Sequence, residues 1–240
     1  MVKKLVIIPT YNEIENIEAM ISKVGSLVEP FDMLVIDDNS PDGTGAKVKE
    51  LMATCAWLHL IERKGKLGLG TAYLTGFRWA LDRDYDYICE MDCDFSHNPD
   101  DLIHLVEACV DGGADVAVGS RYVTGVNVVN WPMSRVIMSY YASAYVRRVL
   151  SVNLHDTTAG FVCFSRRVLQ TIDLDQVRMR GYGFQIEMKY SASCLGFKVC
   201  EVPIIFTDRT LGTSKMSSGI FGEAFWGVLK MRFRKIKAKK

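Results

Sequence analysis

The chain has no apolar run long enough to cross a bilayer, which takes about 20 residues. The longest, Val136 to Val146, is closed by Arg135 on one side and by Arg147 and Arg148 on the other. Cysteine is present in odd number, at positions 55, 89, 93, 109, 163, 194 and 200, with no CxxC doublet. That excludes a disulfide framework and reads as reduced, mostly buried thiols of a cytosolic protein. Histidines are few, four in all, without HxxxH spacing, so a zinc centre is not expected. An excess of one charge is missing too, because 29 Lys and Arg meet 28 Asp and Glu for a net charge of +1. Nothing in that balance draws the chain to nucleic acid. No leader pattern precedes the first strand-like run, and no repeat, low-complexity stretch or linker interrupts the 240 residues. One domain is the expectation.

What is present is alternation. Leu5–Ile8, Met33–Ile36, Trp57–Ile61, Tyr87–Met91 and Val116–Val118 read as strands. Between them Ile14 to Val24, Ala46 to Met52, Leu69 to Leu81 and Leu102 to Val110 carry helical periodicity. This predicts an α/β fold, a mostly parallel sheet flanked by helices. Ligands on such sheets bind beyond the carboxyl ends of the strands. Farther on, Ser134 to Leu150 and Phe184 to Cys194 read as helices, and Phe161–Phe164 and Val199–Phe206 as strands.

Polar clusters close the early strands. Pro9-Thr10-Tyr11-Asn12-Glu13 opens a helix, with Thr10 or Asn12 available as its cap and Tyr11 able to stack on a base. Asp37-Asp38-Asn39-Ser40-Pro41-Asp42-Gly43-Thr44 has the chemistry of a turn plus two consecutive acids, whose carboxylates suit a base or ribose. Gly65-Lys66-Leu67-Gly68-Leu69-Gly70 fits neither a dinucleotide fingerprint nor a phosphate-binding GK[ST] loop and reads as a glycine-rich turn entering a helix.

Asp92 and Asp94 flank Cys93 at the end of the fourth strand and precede Phe95-Ser96-His97-Asn98-Pro99. Two carboxylates one residue apart where a strand breaks make a hard-oxygen claw for Mg2+ or Mn2+, the usual holder of a diphosphate. Solvated loop acids are the plainer alternative. Gly119-Ser120-Arg121-Tyr122, Trp131-Pro132-Met133-Ser134-Arg135 and Asp208-Arg209-Thr210-Leu211-Gly212-Thr213-Ser214-Lys215 supply cations from three further places. Arginine suits bidentate phosphate contacts and lysine a point contact. A claw plus several separated cations suggests a substrate carrying more phosphate than one nucleotide does.

Taken in order, the runs PTYNE, DDNSPDGT, GKLGLGTAYLTGF, MDCDFSHNP, GSRYV, NWPMSR, DTTAGF and DRTLGTSKM resemble the dolichol-phosphate mannosyltransferases, also called polyprenol monophosphomannose synthases, of glycosyltransferase family 2. The resemblance spans nearly the whole chain. It implies a GT-A fold, GDP-mannose as donor, a polyprenyl phosphate as acceptor, and inversion at the transferred sugar. It further implies that Pro9, Tyr11, Glu13, Ile36 and Asp38 hold the guanosine. Asp92, Asp94 and Ser96 address the metal and diphosphate, with Cys93 contributing backbone only. Arg121, Val128, Arg209 and Lys215 line the donor, while Arg121, Arg135 and Ser139 receive the acceptor phosphate. Three stretches follow: residues 1–120 as the nucleotide-sugar-binding half, 121–215 as the acceptor and catalytic half, and 216–240 as an amphipathic basic helix.

In the last stretch Phe221, Phe225, Leu229, Phe233 and Ile236 recur at helical steps, and seven Lys or Arg lie between Lys230 and Lys240. Such a helix suits an anionic membrane surface, or else packs on the core with a solvated basic end. Some relatives continue into a membrane span. Here a separate membrane-anchoring partner is the expectation, on the cytoplasmic face. Two other readings stay open: transfer of glucose from UDP-glucose, and a non-catalytic nucleotide-binding scaffold on the same fold.

Overall fold

A computed structural model of the chain describes residues 2–179, 181–209 and 220–239, without the side chains at 182 and 220–224. The strands β1 (Lys4–Thr10), β2 (Asp32–Asp37), β3 (Leu58–Glu62) and β4 (Tyr87–Glu90) alternate with helices α1 (Ile14–Gly25), α2 (Thr44–Met52) and α3 (Leu69–Leu81). Helix α4 (Asp101–Val110) leads to β5 (Val116–Ser120), then the two-residue β6 (Val128–Val129) and the long α5 (Met133–Leu150). Strand β7 (Val162–Ser165) runs into α6 (Arg166–Thr171); α7 (Tyr182–Cys194), β8 (Val199–Pro203), β9 (Phe206–Thr207) and α8 (Ile220–Arg232) complete the described chain.

The main sheet has seven strands in the order β3-β2-β1-β4-β7-β5-β8. All neighbours are parallel except β7, which runs antiparallel to both β4 and β5. β1 explains why its run is apolar without alternation. Leu5 and Ile7 point into the core under α3 and α7, and Val6 and Ile8 into the core under α1 and α4, all four fully buried. A parallel strand covered on both faces has no solvent side, and each such side chain contributes about 1.5–3 kcal/mol relative to exposure. Helix α3 comes close to the sheet at Gly76, where a Cβ would sit 2.7 Å from Ile7 Cδ1.

The predicted strand Val199–Phe206 is two strands. Its first part joins the main sheet beside β5, and after Pro203 the chain leaves that sheet so that Phe206 and Thr207 pair with Val128 and Val129. The predicted helix through Ile236 ends at Arg232. Val228 and Met231 face inward against Val146, Leu150, Ile186 and Tyr190, and beyond the helix Ala238 bridges to Ile172. The helix packs on the core, while Phe225, Trp226 and Phe233 remain exposed with the basic side chains Lys230 and Arg232. Among the described residues no helix is long and apolar enough to cross a membrane.

Candidate active site

The turns after β1 and β2 are stapled together. Asp37 accepts from Thr10 Oγ1 at 2.9 Å and from the Ser40 backbone at 2.9 Å, so it organises the turn rather than facing a ligand. Asn12 and Asn39 have φ of 55° and 57°, left-handed values that asparagine tolerates. Glu13 stands at the N-cap position of α1. Ile14 N donates to Asp42 Oδ2 across the gap at 3.0 Å, and Glu13 N donates to Thr44 Oγ1 at 3.0 Å. The second turn thus fixes the first, and together they form a rigid rim at the strand ends.

On that rim Asp38 is gripped by Arg63, Nε to Oδ1 at 2.5 Å and Nη2 to Oδ2 at 2.8 Å, and Arg63 Nη1 also donates to Thr71 Oγ1 at 2.7 Å. Lys66 Nζ stands 5.1 Å from the centre of the half-buried Tyr11 ring. The glycine-rich turn therefore reaches back over the rim. Ile36 belongs to the apolar core, and its backbone is what it can offer to a ligand.

A cavity of about 490 Å³ opens beside the end of β4. Asp92, Asp94 and Ser96 form part of its wall; so do Arg121, Arg135, Ser139 and Arg209. Seven residues singled out in the sequence, from four separate stretches, thus face one space. Asp94 Oδ1 accepts from Ser96 N at 3.0 Å, which shapes the break after the strand, and Oδ2 pairs with Arg209 Nη2 at 2.9 Å. Two carboxylates and a hydroxyl are a hard-oxygen set that fits a divalent cation whose other ligands come from substrate and water. Among the described residues no cluster of three or more His, Cys, Asp or Glu is placed to hold a metal ion. Cys93 is buried in the core, consistent with a backbone role.

The cations are held by partners that the sequence reading did not identify. Arg121 makes a bidentate pair with Asp156, at 2.6 Å to each carboxylate oxygen, and its backbone N donates to the same group at 3.1 Å. Glu201 in turn accepts from the backbone of Asp156 at 2.8 Å and of His155 at 2.7 Å. Burial alone would raise the Asp156 carboxyl, but Arg121 and its hydrogen bonds outweigh that and hold it below the usual carboxylate value. Arg135 pairs with Asp208 at 2.9 Å and lies 4.0 Å from the centre of the Trp131 ring, which also flanks Arg121 at 5.4 Å. The two guanidiniums therefore share a tryptophan and converge on the same side of the cavity.

Beneath the claw lie further buried polar groups. Glu90 is fully buried, and burial pushes its carboxyl up to about 8. Lys189, equally buried, is pushed down to about 8 by burial against the opposing pull of Asp156 and Glu90. His97 is stacked on Phe161 with ring centres 4.9 Å apart, and burial lowers it to about 4, so it is neutral at physiological pH. The far wall of the cavity is apolar, made by Tyr145, Val146, Ile186, Phe225 and Val228 from α5, α7 and α8.

Pro9, Tyr11, Glu13 and Asp38 do not line this cavity and stay together on the rim. Val128 stands apart in β6, and Lys215 lies outside the described residues. The acidic partners Asp156 and Asp208 left a trace only inside the DTTAGF and DRT runs, and the rim arginine Arg63 lies two residues before GKLGLG, outside any run; spacing gives no hint of what they pair with.

A family model described as Glycosyl transferase family 2 matches residues 5–173. The polyprenol monophosphomannose synthase of Mycolicibacterium smegmatis is 48% identical over 232 residues, covering 94% of this chain and 87% of that protein. The undecaprenyl-phosphate mannosyltransferase of Micrococcus luteus is 46% identical over 229 residues, covering 93% of each. Among solved structures, glucosyl-3-phosphoglycerate synthase from Mycobacterium tuberculosis, in complex with Mn2+, UDP and glucosyl-3-phosphoglycerate, matches with a TM-score of 0.66 over 96% of this chain and 78% of that one. At 19% identity that likeness speaks to the fold alone, the GT-A arrangement. The chain belongs to glycosyl transferase family 2, and within it to the relatives of the polyprenyl-phosphate mannosyltransferases.

Proposed function

We propose that this protein transfers mannose from GDP-mannose to a polyprenyl phosphate of the dolichyl type, with inversion, at the surface of a membrane. The observation that carries the reading is a single cavity with the Asp92–Asp94 claw and three arginines at one end and an apolar wall at the other. That combination suits a diphosphate sugar meeting a phosphate that ends a hydrocarbon chain. The names of the curated relatives agree with it.

In this account Pro9, Tyr11, Glu13, the Ile36 backbone and Asp38 hold the guanosine on the rim, with Asp38 kept in place by Arg63. Asp92, Asp94 and Ser96 would hold Mg2+ or Mn2+, which when bound supplies positive charge to the departing diphosphate. Arg209 and Lys215 add to that charge, and Val128 closes the donor side. Arg121, Arg135 and Ser139 receive the acceptor phosphate. A phosphate monoester has its second pKa near 6, so its oxygen is a ready nucleophile at pH 7 and no general base is required. Arg121 and Arg135 align it with the sugar C1. The phosphate oxygen forms the new bond to C1 as the bond from C1 to the GDP oxygen breaks, and the electron pair leaves with GDP. An α-linked donor thereby becomes a β-mannosyl phosphate.

The membrane side of the molecule would be the outer face of α5 with α8. Met133 is 70% exposed, Tyr141 67% and Trp226 62%, beside the basic residues of the C-terminal stretch. A partner that anchors the protein to the membrane fits the same face.

The experiment is a donor panel. Purified protein with Mg2+ or Mn2+ and a short polyprenyl phosphate is given radiolabelled GDP-mannose or UDP-glucose. Label moving to the organic phase from GDP-mannose, and not after Asp94→Asn, supports the reading. Transfer from UDP-glucose alone would replace it with the glucosyl alternative.

A further inference from the structure

The polar floor beneath the claw is the part of the cavity that nothing above has used. Tyr73, on α3, is fully buried, and among the described residues its hydroxyl has no hydrogen-bond partner. Gln185, on α7, is 1% exposed, and among the same residues neither its amide oxygen nor its amide nitrogen has one. Both side chains line the cavity together with Asp92 and Asp94. Their geometry is fixed from behind. The Tyr73 and Phe184 rings stack with centres 6.0 Å apart. Glu90 lies fully buried within electrostatic reach of Gln185, Lys189 and Asp92, and among the described residues its two oxygens have no hydrogen-bond partner.

Buried polar atoms are nearly always paired, so two side chains with unpaired polar atoms at one end of a cavity call for an explanation. A hydrocarbon chain cannot supply it, because it has nothing to donate or accept. A phosphate uses only the donors, the Tyr73 O–H and the Gln185 NH2, and leaves the amide oxygen unpaired. A polyhydroxylated ring matches: each sugar hydroxyl donates once and accepts, as do a phenol and a carboxamide. The position agrees, because a hexose hanging from a diphosphate at Asp92 and Asp94 must lie next to the claw.

Resting on the function proposed above, we infer that Tyr73 and Gln185 are the specificity-determining residues of the hexose subsite, reading ring hydroxyls of the transferred sugar. A site built to hydrogen-bond a hydroxyl strongly rejects a substrate that lacks it, because its own buried groups are then left unpaired. Lipid recognition stays with the apolar wall, and nucleotide recognition with the rim.

The test pairs Tyr73→Phe and Gln185→Leu with GDP-mannose and its 2-, 3-, 4- and 6-deoxy analogues. Wild type should lose about tenfold or more in kcat/KM with at least one analogue. The variant that removes the partner of that hydroxyl should lose a similar factor with GDP-mannose, and should treat the intact and deoxy sugars alike to within about twofold. Affinity for GDP, which carries no hexose, should be unchanged, a result that a merely structural defect would not give. Tyr73→Phe alters one oxygen and keeps the ring stack, so it carries the test if Gln185→Leu fails to fold. Deoxy penalties that remain multiplicative in both variants would overturn the inference while leaving the function intact. Absence of wild-type transfer from every GDP-hexose would overturn the function and the inference with it.

Discussion

Asp156→Asn should cost this protein both stability and acceptor binding. The Asp156 side chain is wholly buried and that of Arg121 is 10% exposed. Asparagine keeps the shape but places an NH2 donor against a guanidinium that also only donates. At least one of the two 2.6 Å bonds then faces donor to donor, and the buried cation loses its counter-charge. Leaving a buried charge without its partner costs about 3–5 kcal/mol. At about 2–4 °C per kcal/mol for a chain of this size, the melting temperature should fall by roughly 6–20 °C. The acid limb should change as well. Arg121 and its hydrogen bonds hold the Asp156 carboxyl below the usual carboxylate range in the folded state, so its contribution is complete above that range and is lost as pH falls through the lower folded value. The variant should lack that loss. In transfer assays the KM for polyprenyl phosphate should rise at least tenfold, while GDP affinity, set on the rim, should hold. A melting temperature within about 2 °C of wild type together with an unchanged lipid KM would refute the argument that Asp156 holds Arg121 for the acceptor.

Arg63→Met should free Asp38 and lower GDP affinity about tenfold, measured by titration calorimetry, with the lipid KM unchanged; equal affinity would mean that the rim pair does not serve the base. Glu90 has its pKa raised from 4.5 to about 8, so the folded state holds a proton there and wild-type stability should decline as pH rises from about 4.5 through 8. Glu90→Gln, neutral at every pH, should flatten that decline in melts between pH 5 and 8.5, and an unaltered slope would contradict the assignment. Removing the C-terminal stretch would strip Met231 from the core and break the Arg234–Glu187 pair, so charge reversal is the cleaner probe of the membrane face. Lys235→Glu with Lys237→Glu should weaken binding to anionic vesicles more than tenfold, at about 1 kcal/mol for each basic residue near the surface, without changing GDP affinity. Undiminished vesicle binding would place the membrane face elsewhere.

How much could be read without coordinates follows the range of each interaction. The apolar runs of β2 and β4 and the acids that close them are local patterns, and they located the strand ends and the claw. The insertion of β7 between β4 and β5 is not local: Val162–Ser165 looks the same whether its neighbours run with it or against it. The break after Pro203 depends on Val128 and Val129 waiting to pair with Phe206 and Thr207. The charge partners are the clearest case. Asp38 and Arg63 are 25 residues apart, Arg121 and Asp156 35, and Arg135 and Asp208 73. No spacing rule reaches that far, so the sequence displays the cations and hides what orients them. The tail misled for the opposite reason. Its helical period continues to Ile236, but the chain past Arg232 is held by the Ala238 bridge to Ile172 and by Arg234 on Glu187, and the helix stops.

The central claim is that an already ionised lipid phosphate, placed by Arg121 and Arg135, attacks the donor without a general base. Its most direct test is the pH profile of transfer from GDP-mannose to a short polyprenyl phosphate, beside the same chain length as the free alcohol. The account predicts transfer to the phosphate only, with a rate that is flat above about pH 6 and falls below it as the phosphate takes up its second proton. Comparable transfer to the alcohol, or a rate that climbs steadily through pH 7 to 9 as a protein base loses its proton, would contradict it.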